Sequence, residues 1–215
     1  MQERGCPQLR IHSTLALYIS LRRCLIPVVH DVMLRLLFGD LIVGSRLYFL
    51  KALNPTVQQC VRESCVAIET LEHCFFSCPG LNDMWQSLWA RWSKAFHAVL
   101  SWRLLLFPQP RDIKADWKQQ HKTILLLCRV HTAIVFHATW RLRNNIHFEE
   151  AATQQPSTQG LMSSFRRHCQ YMFQHSEELK LDGDAINSVL QRLGFDTPKP
   201  ISLPQQGCRI WIPRP

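Results

Sequence analysis

The sequence predicts a mainly α protein: a helical domain carrying a small CCHC loop, followed by a C-terminal helical and irregular extension. Apolar residues recur at helical spacing in successive stretches of the chain. Glycine and proline stand where those stretches stop, at Gly39, Pro79-Gly80 and Gly194. Hydrophobic residues make up 47% of the 215 positions, against only 8 glycines, enough apolar material for a substantial core.

The elements follow in order. Residues 1–24 form an N-terminal segment whose short apolar run is broken by Arg22 and Arg23 and lacks a convincing cleavage site, so no signal peptide is expected. Val28 to Phe38 reads as a helix stopped by Gly39. Beyond the Cys-rich stretch, Asn82 is placed to cap a helix with Leu81, Trp85, Leu88, Trp92, Phe96 and Val99 on one face. Trp85, Trp89 and Trp92 invite base stacking, but Trp at helical spacing is more often core. Pro108 and Pro110 mark a loop, and Asp112 to about Glu150 reads as one long apolar helix. Its stretch 124–140 is the single membrane candidate, yet Arg129, His131 and His137 interrupt it, so a buried core helix is expected and no membrane.

Residues 25–150 are therefore taken as one helical domain, with 151–160 as a polar linker. Residues 161–195 form a helical extension: an amphipathic helix, then a short one capped by Asp184 and stopped by Gly194. The tail, 196–215, is proline-rich and irregular.

The chemistry concentrates between residues 60 and 78, where Cys60, Cys65, His73 and Cys78 stand at a CCHC spacing. Cys and His are the ligands of structural zinc, which takes four of them in a closed tetrahedron. Four residues separate Cys60 from Cys65 and another four separate His73 from Cys78, with a seven-residue arm between the pairs. An arm that short fits a compact knuckle or a strand-to-helix site, not a two-stranded DNA-reading finger. Cys74 replaces Cys60 as the fourth ligand only if the segment around His73 is not regular helix. The competing reading is buried thiols, since free Cys packs as a small hydrophobe and the chain has nine.

The run Cys65-VAI-Glu69-Thr70-LE-His73-CFFS-Cys78-Pro79, with Phe75, Phe76 and Trp85, resembles the reverse-transcriptase zinc-binding domain found downstream of the polymerase in non-LTR retrotransposon proteins. Residues 30–50 resemble the helix and Gly-containing turn that precede that family's first Cys. Trp140-RL-Arg143-Asn144-NIH-Phe148 resembles the Trp-x-x-Arg-Asn-x-x-x-Phe stretch that often follows the domain. The resemblance covers about residues 25–150. It departs at the first ligand, where the family spaces its Cys pair by two residues: Arg62 stands at the matching position here, and Cys60 lies two residues further back.

The resemblance implies Zn²⁺ as a structural cofactor, RNA or DNA as partner, and a reverse transcriptase polymerase domain as a further one. The formal net charge of +9 agrees with an anionic partner. Arg62, Arg91, Arg141 and Arg143 are the expected phosphate contacts, although a cationic last helical turn at Arg141 and Arg143 also suits the helix dipole. No paired metal-binding carboxylates on a strand turn, Gly-rich phosphate loop or nucleophile elbow occurs, so no enzyme is expected. The expected function is a non-catalytic zinc module assisting nucleic-acid binding. A protein–protein adaptor, or a decayed retroelement fragment, is the alternative. An odd number of cysteines points to a reducing intracellular compartment, cytoplasmic or nuclear.

Overall fold

The computed structural model describes residues 21–149 and 155–199; the N-terminal segment to residue 20, the first part of the linker to residue 154 and the tail from residue 200 lie outside them. Within the described residues the fold is mainly α. Its extended pairing is limited to two isolated antiparallel bridges, Gln59 with Ile68 and Phe96 with Ile113.

Helix α1 (Pro27–Phe38) begins with proline at its first position, where a missing N–H costs no hydrogen bond. It ends at Gly39, whose φ of 69° is the left-handed stop that the sequence signals. Helix α2 (Asn82–Trp92) follows a 3₁₀ turn at Pro79–Leu81, so Asn82 is its first helical residue and Leu81 takes the cap position. Helix α3 (Trp102–Leu106) is capped by Ser101, which accepts from the Leu104 N–H.

The long helix is shorter than the sequence predicts. Residues Ala115–Gln120 form a 3₁₀ segment, and helix α4 (His121–Glu149) starts after it. The bridge from Phe96 to Ile113, with His97 N–H donating to the Asp112 carbonyl, holds Ile113 and Lys114 extended and delays the helix. Helix α5 (Thr158–Gln174) is capped by Ser157 and so starts inside the predicted linker. After a short α6 (Ser176–Leu179), helix α7 (Gly183–Leu193) is capped by Asp182, which accepts from Ala185 N–H, and not by Asp184. Gly194 ends it at φ 79°.

Helix α4 is the axis of the fold. Helix α1 packs along it, α5 and α7 pack on it and on each other, and the turn at residues 73–77 rests on it as well. Its apolar stretch has the length and composition of a membrane span, but 67% of that window is buried inside the protein, as expected of a core helix. Ile124, Leu127, Val130, Ala133 and Phe136 are fully enclosed. Trp85 and Trp92 are buried in this core and Trp89 is half-buried, so the Trp-rich helix packs inward instead of offering a stacking platform. Val99, predicted on the same face, is 85% exposed, because α2 ends at Trp92 and the chain turns away.

Candidate metal centre

Three local features bring the CCHC residues together. Backbone pairing comes first: Glu69 N–H donates to Gln58 O at 2.8 Å and Cys60 N–H to Ala67 O at 2.9 Å, which makes 58–69 a tight hairpin-like knuckle. Its tip closes with Cys65 N–H on Arg62 O, helped by Ser64 in the left-handed region at φ 60°. A five-residue spacing between Cys60 and Cys65 is thereby folded back on itself.

The second feature is a π turn over His73–Ser77. In an α-helix, residues five apart point roughly 140° away from each other. Here Cys78 N–H reaches His73 O at 3.2 Å, an i to i+5 closure that brings His73 and Cys78 to one side. Thr70 opens the turn, its Oγ1 accepting from His73 N–H at 3.0 Å. The third feature anchors the turn: Trp85 Nε1 donates to Phe75 O at 2.9 Å, and the Phe75 ring stacks on Trp140 at 6.0 Å.

The result is a Cys₃His cluster that can hold a metal ion: one donor atom from each of Cys60, Cys65, His73 and Cys78, all within 4.8 Å of one another. Cys60 Sγ lies 3.8 Å from Cys78 Sγ, and Cys65 Sγ 3.3 Å from His73 Nε2. A tetrahedral zinc with sulfurs at about 2.3 Å would set neighbouring sulfurs about 3.8 Å apart. Two of the edges therefore already have a metal site's dimensions. Cys60, His73 and Cys78 are buried and Cys65 is half-buried. Cys74 is not part of the cluster, although its segment is indeed not regular α-helix. It points into the core at 0% exposure, and burial pushes its thiol up to about 12.

The electrostatics favour thiolate in one half of the cluster. The hydrogen bond from Cys60 to Cys78 pulls Cys78 well down, against the opposing effect of burial, and the Gly80 N–H and the Arg62 guanidinium help. The same hydrogen bond pushes Cys60 well up, with burial adding to it and the Arg62 N–H opposing. Backbone N–H groups aimed at sulfur are what a metal thiolate uses to spread its charge.

The four arginines expected at phosphate have different surroundings. Arg143 is 4% exposed and pairs with Glu69, itself 0% exposed, so it joins α4 to the knuckle and is withdrawn from any surface ligand. Arg62 is 2% exposed and lies against Cys60, so it too cannot reach a phosphate. Sequence shows the charge of both residues but not the partner that buries it. Arg91 is half-buried: its Nε donates to Gly194 O at 3.2 Å and its guanidinium lies over Phe195, clasping α2 to the end of α7. Arg141 is exposed on α4.

The residue that sequence reasoning underused is Glu69. Its Oε2 accepts from Gly44 N–H at 2.9 Å and from Arg143 Nη2 at 2.7 Å, while its backbone carbonyl accepts from Ser45 N–H. One carboxylate thus ties together the turn after α1, the knuckle and α4. A scan against protein-family models, a search of curated proteins and a search of solved structures each return no match.

Proposed function

We propose that the chain is a non-catalytic, zinc-stabilised helical module that helps a reverse transcriptase hold its RNA or DNA. The observation that carries the zinc part is the convergence of four Cys and His donors within 4.8 Å on a knuckle braced by α4. Three sulfurs and one imidazole are a donor set that suits a structural zinc. Cys60, Cys65, His73 and Cys78 would hold the ion, and it would supply folding free energy to the 58–78 segment. Four protein ligands fill the tetrahedron, leaving no position for an activated water.

The nucleic-acid part rests on the resemblance of residues 25–150 and on the net charge of +9. With Arg62 and Arg143 withdrawn into the fold, exposed Arg141 is the remaining expected contact on the helix that braces the knuckle. Binding of the zinc-loaded chain to random-sequence RNA, measured by fluorescence anisotropy against salt, tests this. A steep loss of affinity with salt, reduced in Arg141→Ala, is expected; salt-independent or absent binding contradicts it.

One observation favours a second reading, a protein–protein adaptor. Tyr48, Phe49 and Leu53 are 70%, 64% and 85% exposed on the segment leading into the knuckle. The Trp-rich helix α2, by contrast, packs inward. Capture of a protein partner that is lost in Phe49→Ser while RNA binding stays absent would favour this reading.

A further inference from the structure

Arg62 presents a problem that the cluster beside it solves. Its side chain is 2% exposed, and its Nε and Nη2 have no hydrogen-bond partner. Among the described residues it makes no ion pair with a carboxylate. The buried carboxylate of Glu69 is already engaged by Arg143 and Gly44. A guanidinium keeps its proton under all ordinary conditions, so Arg62 cannot escape the cost of burial by becoming neutral. Its guanidinium reaches Cys60 Sγ, 4.0 Å from Nη1. The stem lies against Gly80, where an added Cβ would sit 3.5 Å from Arg62 Cδ and 3.8 Å from Cys78 Sγ. Arg62 therefore covers the Cys60–Cys78 edge of the cluster.

We propose that Arg62 is the built-in counter-cation of a metal–thiolate cluster and matches that cluster to a divalent ion. This rests on the zinc reading above. Three thiolates, a neutral imidazole and a divalent ion sum to one negative charge, and the guanidinium brings the buried assembly to neutrality. A monovalent ion leaves one negative charge enclosed and a trivalent ion one positive charge, each without compensation. Arg62 acts through the ligands and touches no substrate, so it is a positioning and charge-balancing residue.

The test is Co²⁺ titration of the full chain, followed by thiolate-to-cobalt absorption and competed with Zn²⁺, for wild type and for Arg62→Lys, Arg62→Gln and Arg62→Met. The expected order follows charge: Lys within a few-fold of wild type, Gln and Met weaker by about tenfold or more. The helical signal of the metal-free chain should be unchanged. If affinity follows side-chain volume instead, with Met at or above Lys, the role is packing and the proposal is overturned. Equal affinity in all four chains also overturns it while leaving the zinc reading intact. A well-folded wild type that takes no Co²⁺ overturns both. Should Arg62→Met fail to fold, the Lys and Gln pair decides.

Discussion

Arg143 and Glu69 stand 74 positions apart in the chain, yet their side chains meet at 2.7 Å with almost no exposure to water. The contact is bidentate in character, since Arg143 Nε also reaches both carboxylate oxygens at 3.2 Å. It joins the stretch around His73 to the one around Trp140, and the stacking of Phe75 on Trp140 runs beside it. Whatever the knuckle binds, its position relative to the helical body depends on this pair.

Breaking the pair is expected to be costly because each partner is left as an uncompensated buried charge. Arg143→Met should destabilise the fold by roughly 3–5 kcal/mol, and Glu69→Gln alone by a similar amount. The double variant should recover a good part of the loss, since no lone charge remains. Urea unfolding of the four chains checks this. Strictly additive losses would mean the two residues act separately.

Gly44 is required where it stands. A Cβ there would lie 2.8 Å from the Gln58 carbonyl oxygen and 2.9 Å from its carbon, and these backbone atoms cannot swing aside. Gly44→Ala should cost about 1–3 kcal/mol and loosen the Gly44 N–H to Glu69 bond at the same time. A thermal midpoint unchanged from wild type would contradict the close approach.

Acid should weaken the helical body independently of the knuckle. His131 is enclosed by Phe165, Phe195 and Trp92, and its Nδ1 accepts the Trp92 indole N–H at 2.9 Å. Burial, with Arg91 adding, holds the imidazole down at about 3. His137 and His168 are lowered in the same direction, mainly by burial. Unfolding frees these groups to take protons near pH 6.5. The stability His131 contributes is therefore whole above about pH 6.5 and is lost as pH falls towards about 3, with a slope near 1.4 kcal/mol per pH unit. His131→Gln keeps an acceptor for Trp92 and should flatten the wild-type slope by about one proton, measured by urea unfolding from pH 7 to pH 4.

Removing the metal should act locally. Chelation is expected to raise amide hydrogen exchange across residues 58–78, while the centre of α4 around Leu127 to Phe136 stays protected by its packing. Uniform exposure of the whole chain on chelation would show that the ion organises the entire domain instead.

Much of the architecture was legible because it is written in local rules. Gly39 and Gly194 end helices in the left-handed conformation that only glycine enters freely, and the Cys and His residues that cluster were legible from their types and spacing. What escaped depends on distance in the chain or on competition between equivalent neighbours. Asp182 and Asp184 flank the same glycine, and only the folded turn shows that Asp182 reaches the Ala185 N–H. The long helix loses its first residues to the pairing of Ile113 with Phe96, a contact that periodicity does not encode. Arg62 and Arg143 carry surface-type charge in the sequence, but Cys60 and Glu69 lie beside them in the fold. Cys60 joins the cluster through the backbone pairing of residues 58–69, and His73 meets Cys78 through a π turn, which has no sequence signature of its own.

The most direct test of the account is zinc stoichiometry on purified full chain, with Cys65→Ser and His73→Ala measured beside it. The account predicts one zinc per chain, lost in both variants together with the order of the 58–78 segment. A well-folded wild type without zinc, or one whose zinc survives both substitutions, would contradict it.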